Sequence, residues 1–257
     1  KEREMENTRV PRCLITILAG LTILAQAPTA SAASISGTVR YEGDSVPKMK
    51  PIDMGKEEKC HASYSEAPLS EMIVIGGDKT FENVFVRVIG GLPEDKEYPV
   101  PEEPIIVDQL GCRYIPHVFG IQVDQKLKVL NSDGVLHNVN AKPKKMRPFN
   151  KAMPPAMTEF ERAFNRAEFP FELKCDVHAW MGAYVGVMAH PFFSVTGKGG
   201  QYEISGLDAG TYEIEIWQEF WARKFGAMKF SVTLSDGEAK VVNIVYPYGK
   251  QAEVRPQ

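Results

Sequence analysis

Short runs of β-branched and aromatic residues, each ended by glycine, proline, asparagine or aspartate, dominate the sequence after Ala33. Runs such as FENVFVRVIG, FGIQVDQKLKVLNSD and GTYEIEIWQ have the length and composition of strands. Almost no stretch has apolar residues at the spacing of an amphipathic helix. Only residues 157–169, MTEFERAFNRAEF, are compatible with either a helix or a strand. The pattern therefore predicts an all-β protein.

Composition and charge narrow the class of protein further. The 257 residues are 44% hydrophobic and 25% charged, which is enough apolar material for one or two domain cores. The formal net charge is only -3. A chain with so weak a field is not expected to bind nucleic acid.

The first 33 residues have the character of a targeting segment. Arg9 and Arg12 precede the apolar run CLITILAGLTILAQA, and Ala30 and Ala32 form an A-x-A cleavage site. Without cleavage, the uncharged stretch is long enough to span a bilayer. Residues 1–33 are therefore predicted to be a signal peptide or a membrane anchor, and the remainder to be exported.

Three cysteines follow the targeting segment, which itself contains Cys13. In an oxidising compartment a disulfide between Cys60 and Cys112 is their simplest use. A second metal site that includes His61 and His117, or two unpaired buried thiols, are the alternatives. Cys175 is left over and needs a different explanation.

The segment CDVHAWM, residues 175–181, contains three potential soft-metal ligands at intervals of three. It lies between the predicted strands FPFELKC and GAYVGVM, so it is expected to form a tight loop. Thiolate, imidazole and thioether together suit copper or zinc and do not suit calcium or magnesium. A second histidine, His137 in NSDGVLHNVNA, lies 38 residues before Cys175. That separation allows the chain to return to the same end of a sandwich.

These motifs resemble those of the cupredoxins. KCDVHAWMGAYVGV is similar to their ligand loop, with the C-x2-H-x2-M spacing of the amicyanin type, and YIPHVFGIQVDQKLKVLNSDGVLHNVNA is similar to the segment that ends at the first histidine. The resemblance implies a Greek-key sandwich with one type 1 copper ion, the cofactor expected here. His137, Cys175 and His178 would be its equatorial ligands and Met181 its axial ligand. Two departures, Ala179–Trp180 and Asp124, remove no ligand.

A second resemblance concerns the ends of the exported chain. TGKGGQYEISGLDAGTYEIEIW is similar to the carboxypeptidase regulatory-like, transthyretin-type sandwich, whose opening strands resemble ISGTVRYEG and FENVFVRVIG. It implies a discontinuous sandwich of residues 34–103 and 191–248, around a cupredoxin domain at 104–190 and before a tail at 249–257. Two sequential small domains are the alternative.

The resemblances imply a periplasmic protein, soluble or anchored to the inner membrane by residues 10–33, that carries single electrons and binds no small-molecule substrate. Its partner would be a redox protein: a cytochrome, a reaction centre or a dehydrogenase. The alternative is a structural or docking subunit of a photosynthetic or respiratory membrane complex. A multicopper oxidase or nitrite reductase is disfavoured because the sequence has no H-x-H pair, so we expect no enzyme.

The ligand loop also suggests where the electron leaves. We expect an exposed edge of His178 with Trp180 beside it in an apolar docking patch. Lys144 and Lys145, in the basic run KPKKMRP, would steer an acidic partner to it. The alternatives are that Trp180 fills the core and that the basic run is a solvated loop.

Overall fold

The computed structural model describes residues 31–55, 57–247 and 249–256, and within these ranges the chain is almost entirely β. The predicted all-β class is confirmed. Residues 1–30 of the predicted targeting segment lie outside the described residues. Within the described ranges, no helix combines the length and the apolar character that crossing a bilayer requires.

The elements follow one another along the described chain in this order: β1 (Ala33–Tyr41), α1 (Glu58–Ala62), β2 (Phe85–Gly90), β3 (Ile105–Gln109), β4 (Tyr114–Ile115), β5 (Val118–Gln122), β6 (Lys126–Asn131), β7 (His137–Ala141), β8 (Phe149–Met153), β9 (Glu159–Ala163), β10 (Glu168–Lys174), β11 (Gly182–Met188), β12 (Phe193–Val195), β13 (Gln201–Leu207), β14 (Gly210–Trp217), α2 (Glu219–Phe225), β15 (Met228–Leu234), β16 (Ala239–Tyr246) and β17 (Glu253–Pro256).

The two ends of the described chain form two four-stranded sheets, ordered β13-β1-β16-β17 and β12-β2-β14-β15. Strand β14 shows how sequence sets their packing. Tyr212, Ile214 and Ile216 are buried, while Thr211 and Glu213, which face the other way, are exposed. Because side chains alternate between the faces of a strand, this pattern places one face of β14 in the core. We call these two sheets the outer sandwich.

Strands β3 to β11 form the second pair of sheets, ordered β5-β11-β10-β7-β8 and β4-β3-β6-β9. We call this pair the inner sandwich. Strand β11 is buried from Ala183 to Met188, as expected for a strand between two neighbours with both faces covered. Several aliphatic side chains of the inner core are fully buried: Leu127, Val129, Val139, Leu173 and Val185.

Residues 157–169, for which helix and strand were both open, form strand β9 and the start of β10. The helical alternative is therefore wrong. Phe160 pairs with Val129 of β6, and the residues of β9 alternate between exposed and half-buried positions. Period-two burial against β6 explains the choice of strand, because a helix would place these side chains on several faces.

Aromatic and ionic contacts join the two sandwiches. The Phe85 ring lies 4.8 Å from the Phe169 ring. The two ring nitrogens of His117 lie 2.9 Å from a Glu219 carboxylate oxygen and 3.0 Å from the Gly182 carbonyl. Burial lowers the pKa of His117, but the hydrogen bond with Glu219 and the negative charges of Glu71 and Glu219 together outweigh it, so this pKa is above its usual value. The histidine therefore favours the charged form, which bridges both sandwiches.

One part of the 34–103 range packs on the inner sandwich. Met54 and Cys60 are buried in the inner core, and the Tyr64 hydroxyl donates a 2.8 Å hydrogen bond to the Gly111 carbonyl. Residues 57–64, here called the cover, include helix α1. The chain therefore contacts the inner sandwich in this region, returns to the outer sandwich in β2 and enters the inner sandwich again in β3.

Candidate metal centre

Two neighbouring strands place the predicted ligands at one end of the inner sandwich. His137 is the first residue of β7, and Cys175 directly follows the last residue of β10. These strands are antiparallel, with Lys174 opposite Asn140, so the end of β10 lies beside the start of β7. The loop then turns tightly: the Met181 amide donates to the His178 carbonyl, and the Cys175 amide donates to the Met181 carbonyl.

Three of the four predicted ligands bring their donor atoms together. The Nδ1 atoms of His137 and His178 are 2.9 Å apart, and the Cys175 Sγ is 3.8 Å from the His178 Nδ1. One donor atom from each residue lies within 4.8 Å of the other two. All three residues are buried, and the Met181 side chain is 2% exposed in the same loop.

Asp133 orients the first histidine. Its Oδ2 atom lies 2.8 Å from the His137 Nε2, which leaves Nδ1 pointing into the centre. A carboxylate behind a metal-binding histidine fixes the ring and raises its basicity. Burial lowers the pKa of His137, but hydrogen bonds with Asp133 and Cys175 outweigh this effect and raise the pKa to about 9.

The pKa values of Cys175 and His178 both lie below their usual values. Burial raises the pKa of the Cys175 thiol, but hydrogen bonds with His137 and backbone amides outweigh it, and the pKa falls below its usual value. The thiolate, which is the metal-binding form, is thereby favoured. Burial, followed by repulsion from His137, lowers the pKa of His178, which favours its neutral, metal-binding form.

An amide cluster that the sequence reasoning missed fixes the ligand loop. The Asp176 carboxylate accepts hydrogen bonds from the side-chain amides of Asn138, Asn140 and Asn150, at 2.6 to 3.0 Å. The Asn138 Oδ1 accepts from the Asp176 backbone amide at 2.7 Å. The signal was present in HNVNA, because alternate residues of a strand lie on one face, opposite the histidine.

The Nε2 edge of the His178 ring, opposite the proposed metal centre, faces other protein residues and not solvent. Its Nε2 atom is 4.0 Å from the Cys60 Sγ and 3.9 Å from a Glu57 carboxylate oxygen. The residue is 3% exposed. The expectation of an exposed His178 edge is therefore wrong, because the cover lies over the histidine.

Trp180 lies beside His178 and is half-buried. Their ring centroids are 5.0 Å apart, and the indole N–H donates a 3.0 Å hydrogen bond to the Cys112 carbonyl. Trp180 also lines a cleft of about 550 Å³ between the two sandwiches, together with Arg113 and Arg223. The tryptophan thus packs against the inner core on one side and borders an open cleft on the other.

Lys144 and Lys145 lie far from the ligand loop. They follow Ala141, whereas His137 is at the opposite end of β7, so about 13 Å of strand separates the two ends. Their backbone amides donate to the Glu168 carboxylate at 2.6 and 2.7 Å. This position does not suit the expected steering role, because the β7–β8 turn points away from the metal centre.

Cys60 and Cys112 form a disulfide, with a Cα–Cα distance of 5.5 Å. The histidines of the alternative second metal site lie elsewhere: His61 is exposed and contacts the Gly55 carbonyl, and His117 contacts Glu219. The histidine near the disulfide is His178.

Comparison with known proteins gives structural likenesses alone, since no protein-family model and no curated protein matches the sequence. An oxidised amicyanin variant is 20% identical, with a TM-score of 0.30, over 33% of this chain and 81% of its own. A purple cupredoxin from Nitrosopumilus maritimus is 20% identical, with a TM-score of 0.28, over 32% and 98%. A copper-containing nitrite reductase from Thermus scotoductus is 16% identical, with a TM-score of 0.31, over 49% and 28%.

Proposed function

We propose that His137, Cys175, His178 and Met181 hold one copper ion and that the chain carries single electrons. The supporting observation is the convergence of two imidazole Nδ1 atoms and one sulfur in a buried site. Two imidazoles, a thiolate and a thioether form the donor set of blue-copper centres. Metal bonds of ~2.0 Å to nitrogen and ~2.3 Å to sulfur are compatible with donor separations of 2.9 and 3.8 Å.

When bound, copper supplies a one-electron couple between its +1 and +2 states. The chain's own residues hold the ligands in place for both states. Asp133 fixes the His137 ring, and the amide cluster on Asp176 fixes the loop that carries Cys175. Ligands held in this way move little when the charge changes, which favours rapid electron exchange.

The burial of the ligands favours a carrier over an enzyme. A catalytic metal centre keeps an open coordination position for substrate. Here the four ligands come from the protein and all are buried. The groups of potential ligands found among the described residues all include His137 or His178, so none of them provides a separate catalytic metal site.

Asp133→Asn tests the proposed ligand geometry. The amide keeps the size of the side chain but loses the charge that holds the His137 ring. We expect copper affinity to fall about 10- to 100-fold, the usual effect of removing such a partner. The measurement is competition for Cu(II) against a chelator of known affinity.

Asp124→Asn is the matched control, because Asp124 is exposed in a turn with φ 62, a conformation that asparagine tolerates. Its copper affinity should equal that of the wild type. An Asp133→Asn protein that binds copper as tightly as the wild type would contradict the proposed role.

We place the electron exit at Trp180, because its ring contacts that of His178 and borders the cleft between the two sandwiches. The proposed partner is a redox protein in the periplasm. Trp180→Leu should weaken functional docking about tenfold or more, since truncating an interface tryptophan typically costs ~2 kcal/mol. The measurement is the rate of copper reduction against partner concentration.

The control combines Lys144→Glu with Lys145→Glu. Because these lysines lie at the other end of the inner sandwich, this variant should keep the wild-type rate and its salt dependence. Equal rates for Trp180→Leu and the wild type would place the exit elsewhere.

The covered His178 favours a second candidate, a structural or docking subunit of a membrane electron-transfer complex. Such a subunit needs no exposed ligand. The two candidates differ in solution: a carrier exchanges electrons with a soluble redox protein, whereas a docking subunit remains attached to its complex during gentle membrane extraction.

A further inference from the structure

We propose that the cover, held by the Cys60–Cys112 disulfide, closes the Nε2 edge of His178 and keeps small ligands and reagents away from this histidine. Its significance for copper rests on the proposed function. The closure itself is a property of the chain and is testable without metal.

The cover lies over the Nε2 edge of His178. The Nδ1 side of the ring faces His137 and Cys175, and one side of the ring lies against Trp180. The Cys60 Sγ and a Glu57 carboxylate oxygen of the cover lie 4.0 and 3.9 Å from the Nε2 atom, whereas a bridging water needs ~2.8 Å to each of two atoms. No space for a water or an anion remains between them.

Two anchors hold the cover on the inner sandwich. The first is the disulfide to Cys112, and both of its cysteines are at most 1% exposed. The second is Tyr64, whose hydroxyl donates to the Gly111 carbonyl at 2.8 Å and accepts from the Arg113 Nε at 2.9 Å. Both anchors end on the turn at residues 111–113.

The same turn is tied to the metal centre from the opposite side. Asp133, which orients His137, also accepts hydrogen bonds from the backbone amides of Gly111 and Cys112, at 2.5 and 2.8 Å. The indole of Trp180 donates to the Cys112 carbonyl. The disulfide therefore joins the cover to the element that positions one ligand and the proposed exit.

The consequence is that species from solvent cannot reach the Nε2 edge of His178. An exogenous ligand would have to displace Cys60 or Glu57 to reach His178, and the Glu57 carboxylate at the rim is partly exposed and repels anions.

The test uses the metal-free full chain and diethyl pyrocarbonate, which acylates accessible neutral imidazoles, with mass spectrometry of each histidine. His61 is exposed and serves as the internal reference. In the wild type His178 should react at least tenfold more slowly than His61. In the Cys60→Ser, Cys112→Ser double variant it should approach the rate of His61, while buried His137 stays protected.

Tyr64→Phe should loosen the cover less than loss of the disulfide does. It keeps the disulfide but loses both hydrogen bonds of the second anchor, so His178 should react at an intermediate rate. Glu58→Gln is the matched control, since Glu58 is exposed on the cover, and it should react as the wild type does. Circular dichroism and protected His137 identify any variant that has unfolded.

A wild-type His178 that reacts as fast as His61 would overturn the proposal. Unchanged protection in both the folded Tyr64→Phe variant and the double variant would also overturn it. If the labelling shows closure but the loaded protein is colourless, the proposed function fails and the closure stands.

Discussion

Cys175→Ser is expected to abolish the intense visible absorption of the copper-loaded protein. In the proposed site this absorption arises from charge transfer between the Cys175 thiolate and Cu(II). A serine hydroxyl is a harder ligand that stays protonated, so it cannot replace the thiolate. The measurement is the visible spectrum of both proteins after addition of one equivalent of Cu(II).

The control for this variant is the Cys60→Ser, Cys112→Ser protein. It loses two sulfur atoms but no proposed ligand, so it should keep the absorption band. A Cys175→Ser protein with the wild-type spectrum would show that Cys175 is not the source of the colour.

Loss of the disulfide is expected to have the largest effect on stability. The bridge closes a loop of 52 residues, and the chain-entropy relation assigns such a loop a contribution of about 4 kcal/mol. The Cys60→Ser, Cys112→Ser protein should therefore unfold at a lower urea concentration, with a slope at least as steep, because its unfolded chain is less compact. The measurement is equilibrium unfolding of the metal-free chain, followed by tryptophan fluorescence.

Cys175→Ser serves as the stability control, because it changes a buried sulfur outside the bridge. It should lower the free energy of unfolding by less than the double variant does. Equal midpoints for the double variant and the wild type would mean that the bridge does not constrain the unfolded chain.

Local sequence was sufficient to predict the strands and the ligand loop. The alternation of Tyr212, Ile214 and Ile216 is encoded in neighbouring residues, and the structure buries all three. The spacing of Cys175 and His178 is also local, and the turn between β10 and β11 folds them together. His137 was inferred from its separation from Cys175 and from the cupredoxin resemblance, and its Nδ1 atom lies 2.9 Å from that of His178.

Features that depend on distant contacts could not be predicted in this way. Nothing near Cys60 indicates that the cover reaches His178, because their contact joins segments 118 residues apart. The position of Lys144 and Lys145 depends on the direction of strand β7, because this strand separates them from the ligand loop with Cys175 and His178. The choice of strand for residues 157–169 depended on pairing with β6.

The most direct test of the central claim is a titration of the reduced-thiol, disulfide-intact wild-type chain with Cu(II), followed by visible absorption. The account predicts an intense charge-transfer band that grows linearly and saturates at one ion per chain. The band should disappear on addition of ascorbate, as Cu(II) becomes Cu(I), and return on reoxidation. A chain that binds no copper, or that binds it with only the weak absorption of nitrogen and oxygen ligands, would contradict the proposed copper centre.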